Sequence, residues 1–90
     1  MQNYTTSDIY LASYLIYRGH SVDELQEIKP RKYVFVLDKP KADLDADITD
    51  FYQRRASIEP MEYVTALKQL KSLVYNETNT RYPANQPVRS

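Results

Sequence analysis

Residues 32–37 read Lys32-Tyr33-Val34-Phe35-Val36-Leu37, and the reading of this stretch decides the fold. From Tyr33 onward every residue is apolar or aromatic, at odd and even positions alike, which predicts a strand apolar on both faces, central in its sheet and covered. Just upstream, residues 22–28 carry Val22, Leu25 and Ile28 in a polar setting and are predicted to form a second strand. Lys29-Pro30-Arg31 is a short turn between the two, so the natural pairing is an antiparallel hairpin. Downstream, Asp38-Lys39-Pro40 closes the aromatic strand.

Helices are predicted around this hairpin. Thr5-Thr6-Ser7-Asp8 offers hydroxyls for an N-cap, with Asp8 three residues after Thr5 as in a capping box. A first helix over residues 7–18 then stops at Gly19, the sole glycine of the chain, placed where a left-handed residue is wanted. A second helix over 41–55 has Leu44, Ile48, Phe51 and Tyr52 on one stripe. Ala56-Ser57-Ile58-Glu59 is read as an extended edge segment, and Pro60 opens a third helix at the position proline favours. That helix has a buried stripe of Tyr63, Leu67, Leu70 and Val74 and a wet face of Glu62, Thr65, Gln69 and Ser72. The predicted order is α-β-β-α-(β)-α, an α+β class domain over residues 1–75. Residues 76–90 hold two prolines and little to bury, and are read as a disordered tail, or as a linear binding segment anchored by Tyr82.

Composition narrows the chemistry. The chain has 90 residues, 12 Lys+Arg against 12 Asp+Glu, one His and no Cys. Disulfides, thiolate nucleophiles and cysteine metal sites are excluded, and one glycine cannot build a phosphate-cradling loop. No signal peptide or membrane-spanning run is read, and a cytoplasmic location is expected. Charge is segregated: residues 1–28 carry net −3, 29–41 net +4, 42–52 net −4 and 53–75 net +2.

Asp43, Asp45 and Asp47 alternate like the first ligands of a calcium loop. Ile48 and Arg54 then occupy the places of the turn glycine and the bidentate glutamate, so no metal or cofactor is expected. Asp50 is expected to pair with Arg54 four residues on. His20 beside Ser21 invites a nucleophile-and-base reading, but no oxyanion elbow accompanies it, and a helix-terminal role fits better. No enzymatic site emerges.

Two surfaces are candidates for binding. Ile9, Ala12, Leu15 and Ile16 form the core stripe of the first helix, with Tyr10, Tyr14 and Tyr17 together on another face and Leu11 on the far flank. A short helix apolar around most of its circumference is no ordinary surface helix. Either the tyrosines pack at the core edge or they meet a protein partner, a second copy included. The alternative is a basic hairpin tip of Lys29, Arg31 and Lys32, joined by Arg54 and Arg55, that binds nucleic acid through its phosphates.

Thr6-Ser7-Asp8-Ile9-Tyr10-Leu11-Ala12, then Gly19-His20, Tyr33-Val34-Phe35-Val36 and Tyr63-Val64-Thr65-Ala66-Leu67-Lys68-Gln69-Leu70-Lys71, resemble a family of small uncharacterised domains of unknown function from bacterial, phage and plasmid genomes. The resemblance covers residues 4–75. It implies a mobile-element setting, in which small accessory proteins bind a protein or a nucleic acid, and it implies no catalytic residues.

Overall fold

In the computed structural model, which describes residues 2–81, the aromatic stretch is a strand flanked on both sides. The chain runs β1 (Thr5–Thr6), α1 (Ile9–Tyr17), β2 (Val22–Lys29), β3 (Lys32–Leu37), α2 (Lys41–Tyr52) and α3 (Pro60–Arg81). The sheet is antiparallel in the order β1-β3-β2, and the fold is α+β. β3 is central, as its apolar composition requires, but its cover is one-sided. Phe35 and Leu37 lie in the core, whereas Val34 and Val36 stand outside it, half-buried opposite Gln26 and Glu24.

The third strand is not the segment expected. Residues 55–59 are irregular, and the second edge is made by Thr5 and Thr6, paired with Val36 and Phe35. The Tyr4 N–H donates to the Lys39 carbonyl, and Leu37 N–H to the Tyr4 carbonyl, which locks this edge in place. β-Branched threonines suit it, and capping falls to the next acid. Asp8 is the N-cap itself: its Oδ1 accepts from the N–H groups of Tyr10 at 2.9 Å and Leu11 at 3.2 Å.

β2 explains how Val22 and Leu25, three apart, both serve one face. Its pairing with β3 slips between Val22 and Glu24 and again between Glu27 and Lys29. Each bulge inserts one residue and resets the alternation, so Val22 and Leu25 both pack on the core while Ile28 is exposed. The bulges and the acids of β2 also guard this outer strand against further pairing.

Both of the first two helices end alike. After α1, Gly19 has φ 101°, and the N–H groups of Gly19 and His20 donate to the Ile16 and Leu15 carbonyls, a Schellman closure. A Cβ at Gly19 would meet nothing within 4 Å, so glycine is wanted there for its backbone alone. After α2, Arg54 takes the same left-handed place at φ 60°, and Arg54 and Arg55 donate to Phe51 and Asp50. The helix therefore stops at Tyr52, short of the expected Arg55.

α1 is the centre of the molecule. Leu11 to Leu15 are five consecutive buried residues, enclosed on one side by Phe35 and Leu37 and on the others by Leu44 and Ile48 of α2 and Leu70 of α3. Leu11, read from the sequence as a flank residue, is wholly buried in this core. Of the two helices on α1, α3 packs the more extensively. Small buried residues, Ser13 on α1 and Ala66 on α3, suit a close approach. α3 itself continues through Asn76 to Arg81, so the first six residues read as tail are helical. The remainder, with Tyr82, lies outside the described residues.

Candidate functional site

The three tyrosines of α1 meet three different fates. Tyr14 is 2% exposed, its ring 5.5 Å from that of Phe51 and 6.1 Å from that of Tyr17. Tyr17 is half-buried, and its hydroxyl accepts the Glu59 N–H at 2.9 Å, tying the irregular segment before α3 to the end of α1. Tyr10 alone is open to solvent, at 54% exposure. The face is therefore two-thirds internal packing, covered by the end of α2 and the connection that follows it.

What surrounds Tyr10 was not legible as a site. The Asp8 carboxylate, already capping α1 through Oδ1, accepts the Tyr52 hydroxyl on Oδ2 at 3.0 Å. Tyr63 of α3 donates its hydroxyl to the Tyr10 carbonyl at 3.0 Å. One tyrosine from each helix thus meets at the start of α1, two of them fastened by their hydroxyls, with Tyr52 56% exposed. Sequence reading placed Tyr52 and Tyr63 on buried stripes. The only hint was that both end a stripe, where a ring can leave the core and keep its hydroxyl wet.

Burial raises the Tyr52 phenol above its ordinary value, and the Asp8 hydrogen bond and charge add to the effect. Burial also raises Tyr63, with Asp8 and Tyr10 contributing. At Tyr14 burial dominates again; Asp47 and Asp50 push the same way and Arg18 opposes them. A raised native value means that the folded state holds these protons more tightly than the unfolded one. The stability they contribute is complete below the ordinary value of 10.0 and is lost as pH rises through and beyond it. Between neutral pH and about pH 9 denaturant midpoints should therefore hold, and they should fall by about pH 11, with Tyr52→Phe flattening part of the fall.

Three of the four aspartates of α2, Asp45, Asp47 and Asp50, hold side-chain partners. Asp47 binds His20 Nε2 at 2.9 Å and Arg18 Nε at 3.2 Å, fastening the end of α1 to α2. Lys41 pairs with Asp45 at 2.7 Å, and this raises the Lys41 ammonium. Asp50 faces Arg55 at 3.6 Å, not Arg54: the left-handed turn at Arg54 brings the following residue back over the helix end. His20 turns its Nε2 to Asp47 and not to Ser21. Among the described residues no three acids, histidines or cysteines converge to hold a metal ion.

The basic candidates divide. Lys29 and Lys32 face each other across the hairpin, and Arg31 between them sits at φ 64°. Arg54 and Arg55 belong to the closure of α2, where cations suit the negative end of the helix. No helix among the described residues is long and apolar enough to cross a membrane.

Among the described residues a small α+β domain with three helices over an open three-stranded sheet is thus defined, with Tyr10 and Tyr52 exposed at the start of α1 and Tyr75 exposed farther along α3. The chain matches the family model described as "Domain of unknown function (DUF5659)" over residues 1–76, and it belongs to that family. No curated protein and no solved structure matches it significantly.

Proposed function

We propose that this domain is a non-enzymatic binding module of the cytoplasm, an accessory protein of phage or mobile-element kind. It meets a protein partner, or a second copy, through the rim formed by Tyr10, Tyr52 and Tyr63. The observation that carries this reading is the Asp8 carboxylate, which caps α1 beside Tyr10 and holds the hydroxyl of the exposed Tyr52. Exposed aromatic rings offer large contact area, and rings already held in place lose little entropy on binding. This reading keeps Tyr10 of the expected tyrosine face and sets Tyr52 and Tyr63 in place of Tyr14 and Tyr17, which pack internally.

A photo-reactive amino acid placed at Tyr10 or Tyr52 tests the reading, with the same group at exposed Lys71 as control. Cross-linking in cells concentrated at positions 10 and 52, to one discrete species or to the protein itself, is expected. Equal cross-linking at position 71 sinks the assignment.

A further inference from the structure

β3 is apolar on both faces, yet the core lies on one of them. Phe35 and Leu37 point into the core, so strand alternation sends Lys32, Val34 and Val36 to the opposite face. Their cross-strand partners on β2, which share that face, are Lys29, Gln26 and Glu24. The second bulge of β2 matters here. It takes up Ile28 and so brings Lys29 opposite Lys32.

Charge is ordered along this open face. Lys29 and Lys32 make a repelling pair at the hairpin end, and neither has a carboxylate partner among the described residues. Exposed Glu24 stands at the other end, its carboxylate accepting from the neutral Gln26 amide at 3.0 Å. The spacing is even. On β3 the partners of Glu24, Gln26 and Lys29 are Val36, Val34 and Lys32, so the Gln26–Val34 pair lies midway, about 7 Å from each end. Opposite charges equidistant from a half-apolar centre make a face complementary to itself under a two-fold rotation.

We propose that two copies of this chain pack these faces together with their strands antiparallel, about a two-fold axis that crosses the Gln26–Val34 pair. Sheets stacked face to face lie about 10 Å apart, a gap that a glutamate and a lysine bridge from opposite sides. Glu24 of each copy then meets Lys29 of the other, twice per dimer, and Val34 meets its own counterpart. The Lys32 stem of each copy covers Val36 of the other. It enters a hollow of about 450 Å³ walled by Gln2, Asn3, Thr5, Gln26 and Val36. The face measures at most about 20 by 14 Å, small for an interface, so the dimer is weak, with Kd on the order of 10–100 μM. This face is separate from the Asp8 rim, and either reading can fail alone.

The test is sedimentation velocity of the full chain from about 5 to about 500 μM, with Glu24→Lys and Lys29→Glu run singly and mixed. The parent should pass from monomer to dimer across that range. Each variant alone sets two like-charged pairs across the axis and should dimerise at least about tenfold more weakly. Mixed in equal amounts, the two variants present two opposite-charge pairs, and a heterodimer of about parental strength should form. Misfolding cannot produce that rescue. Lys29→Glu also relieves the repulsion with Lys32, so its thermal midpoint should hold or rise. Lys71→Glu, on the exposed side of α3, is the control and should dimerise as the parent does. A parent that stays monomeric at about 500 μM overturns the proposal. So does a dimer that both charge reversals leave intact, which places the contact elsewhere, or a mixture that fails to associate.

Discussion

Tyr14→Ala should cost about 3–5 kcal/mol of folding stability, the range for removing a large buried aromatic. In a domain of 90 residues that is a large share of the total, which scales to roughly 5–13 kcal/mol, and the melting temperature should drop by about 15–30 °C. Tyr14 is 2% exposed, and its ring joins those of Phe51 and Tyr17. Truncation thus opens a void between α1 and α2 instead of trimming a surface. Tyr14→Phe keeps the ring and should stay within about 1 kcal/mol of the parent. Tyr10→Ala, on the same helix face one turn earlier, should change stability by less than about 1 kcal/mol. Urea denaturation of the three variants separates the cases. Comparable losses at positions 10 and 14 would mean that α1 is not enclosed as described.

This contrast marks where the sequence stops being legible. A helix with apolar or aromatic residues around most of its circumference had to be covered on several sides, and α1 is. Which element covers which tyrosine depends on α2 and α3 returning over α1, and spacing along one helix holds no such information. The boundaries divide in the same way. Gly19 announced the end of α1 because its place takes a positive φ, which glycine adopts without strain. The same closure at the end of α2 uses Arg54 at φ 60°, a residue with no turn signature, and the reading ran on to Arg55.

β2 and β1 make a similar pair. Val22 and Leu25 violate strand alternation unless a bulge resets it, and bulges have no signature among Asp23, Glu24 and Gln26. The two-residue β1 is too short to show a period at all. Its threonines were equally good as caps, and the choice was settled by Tyr4 bonding to Leu37 and Lys39, contacts more than thirty residues away in the chain. The hairpin, by contrast, needed only local composition and one proline.

The second large effect should come from Asp8→Ala, which breaks two attachments held by one carboxylate. Losing an N-cap costs typically about 1 kcal/mol, within a range of 0.5–2. The hydrogen bond from the Tyr52 hydroxyl to a charged acceptor adds about 0.5–1 kcal/mol once discounted for its solvent exposure. The expected total is about 2 kcal/mol. Asp8→Asn keeps an acceptor for the Tyr10 and Leu11 N–H groups, since asparagine caps nearly as well; it gives up the charge, which favours the positive helix end by about 0.3–1 kcal/mol, and puts an amide NH2 where Oδ2 accepts the Tyr52 hydroxyl. Tyr52→Phe removes the second attachment alone. Because the two changes share a bond, their effects should not add: the double variant should be more stable than the sum of the singles implies, by about 0.5–1 kcal/mol. That coupling, measured by denaturant titration of all four proteins, is the quantity that ties the cap of α1 to the aromatic rim. If the cycle shows none, Asp8 caps its helix and does nothing to position Tyr52, and the rim loses the preorganisation on which its proposed binding role rests.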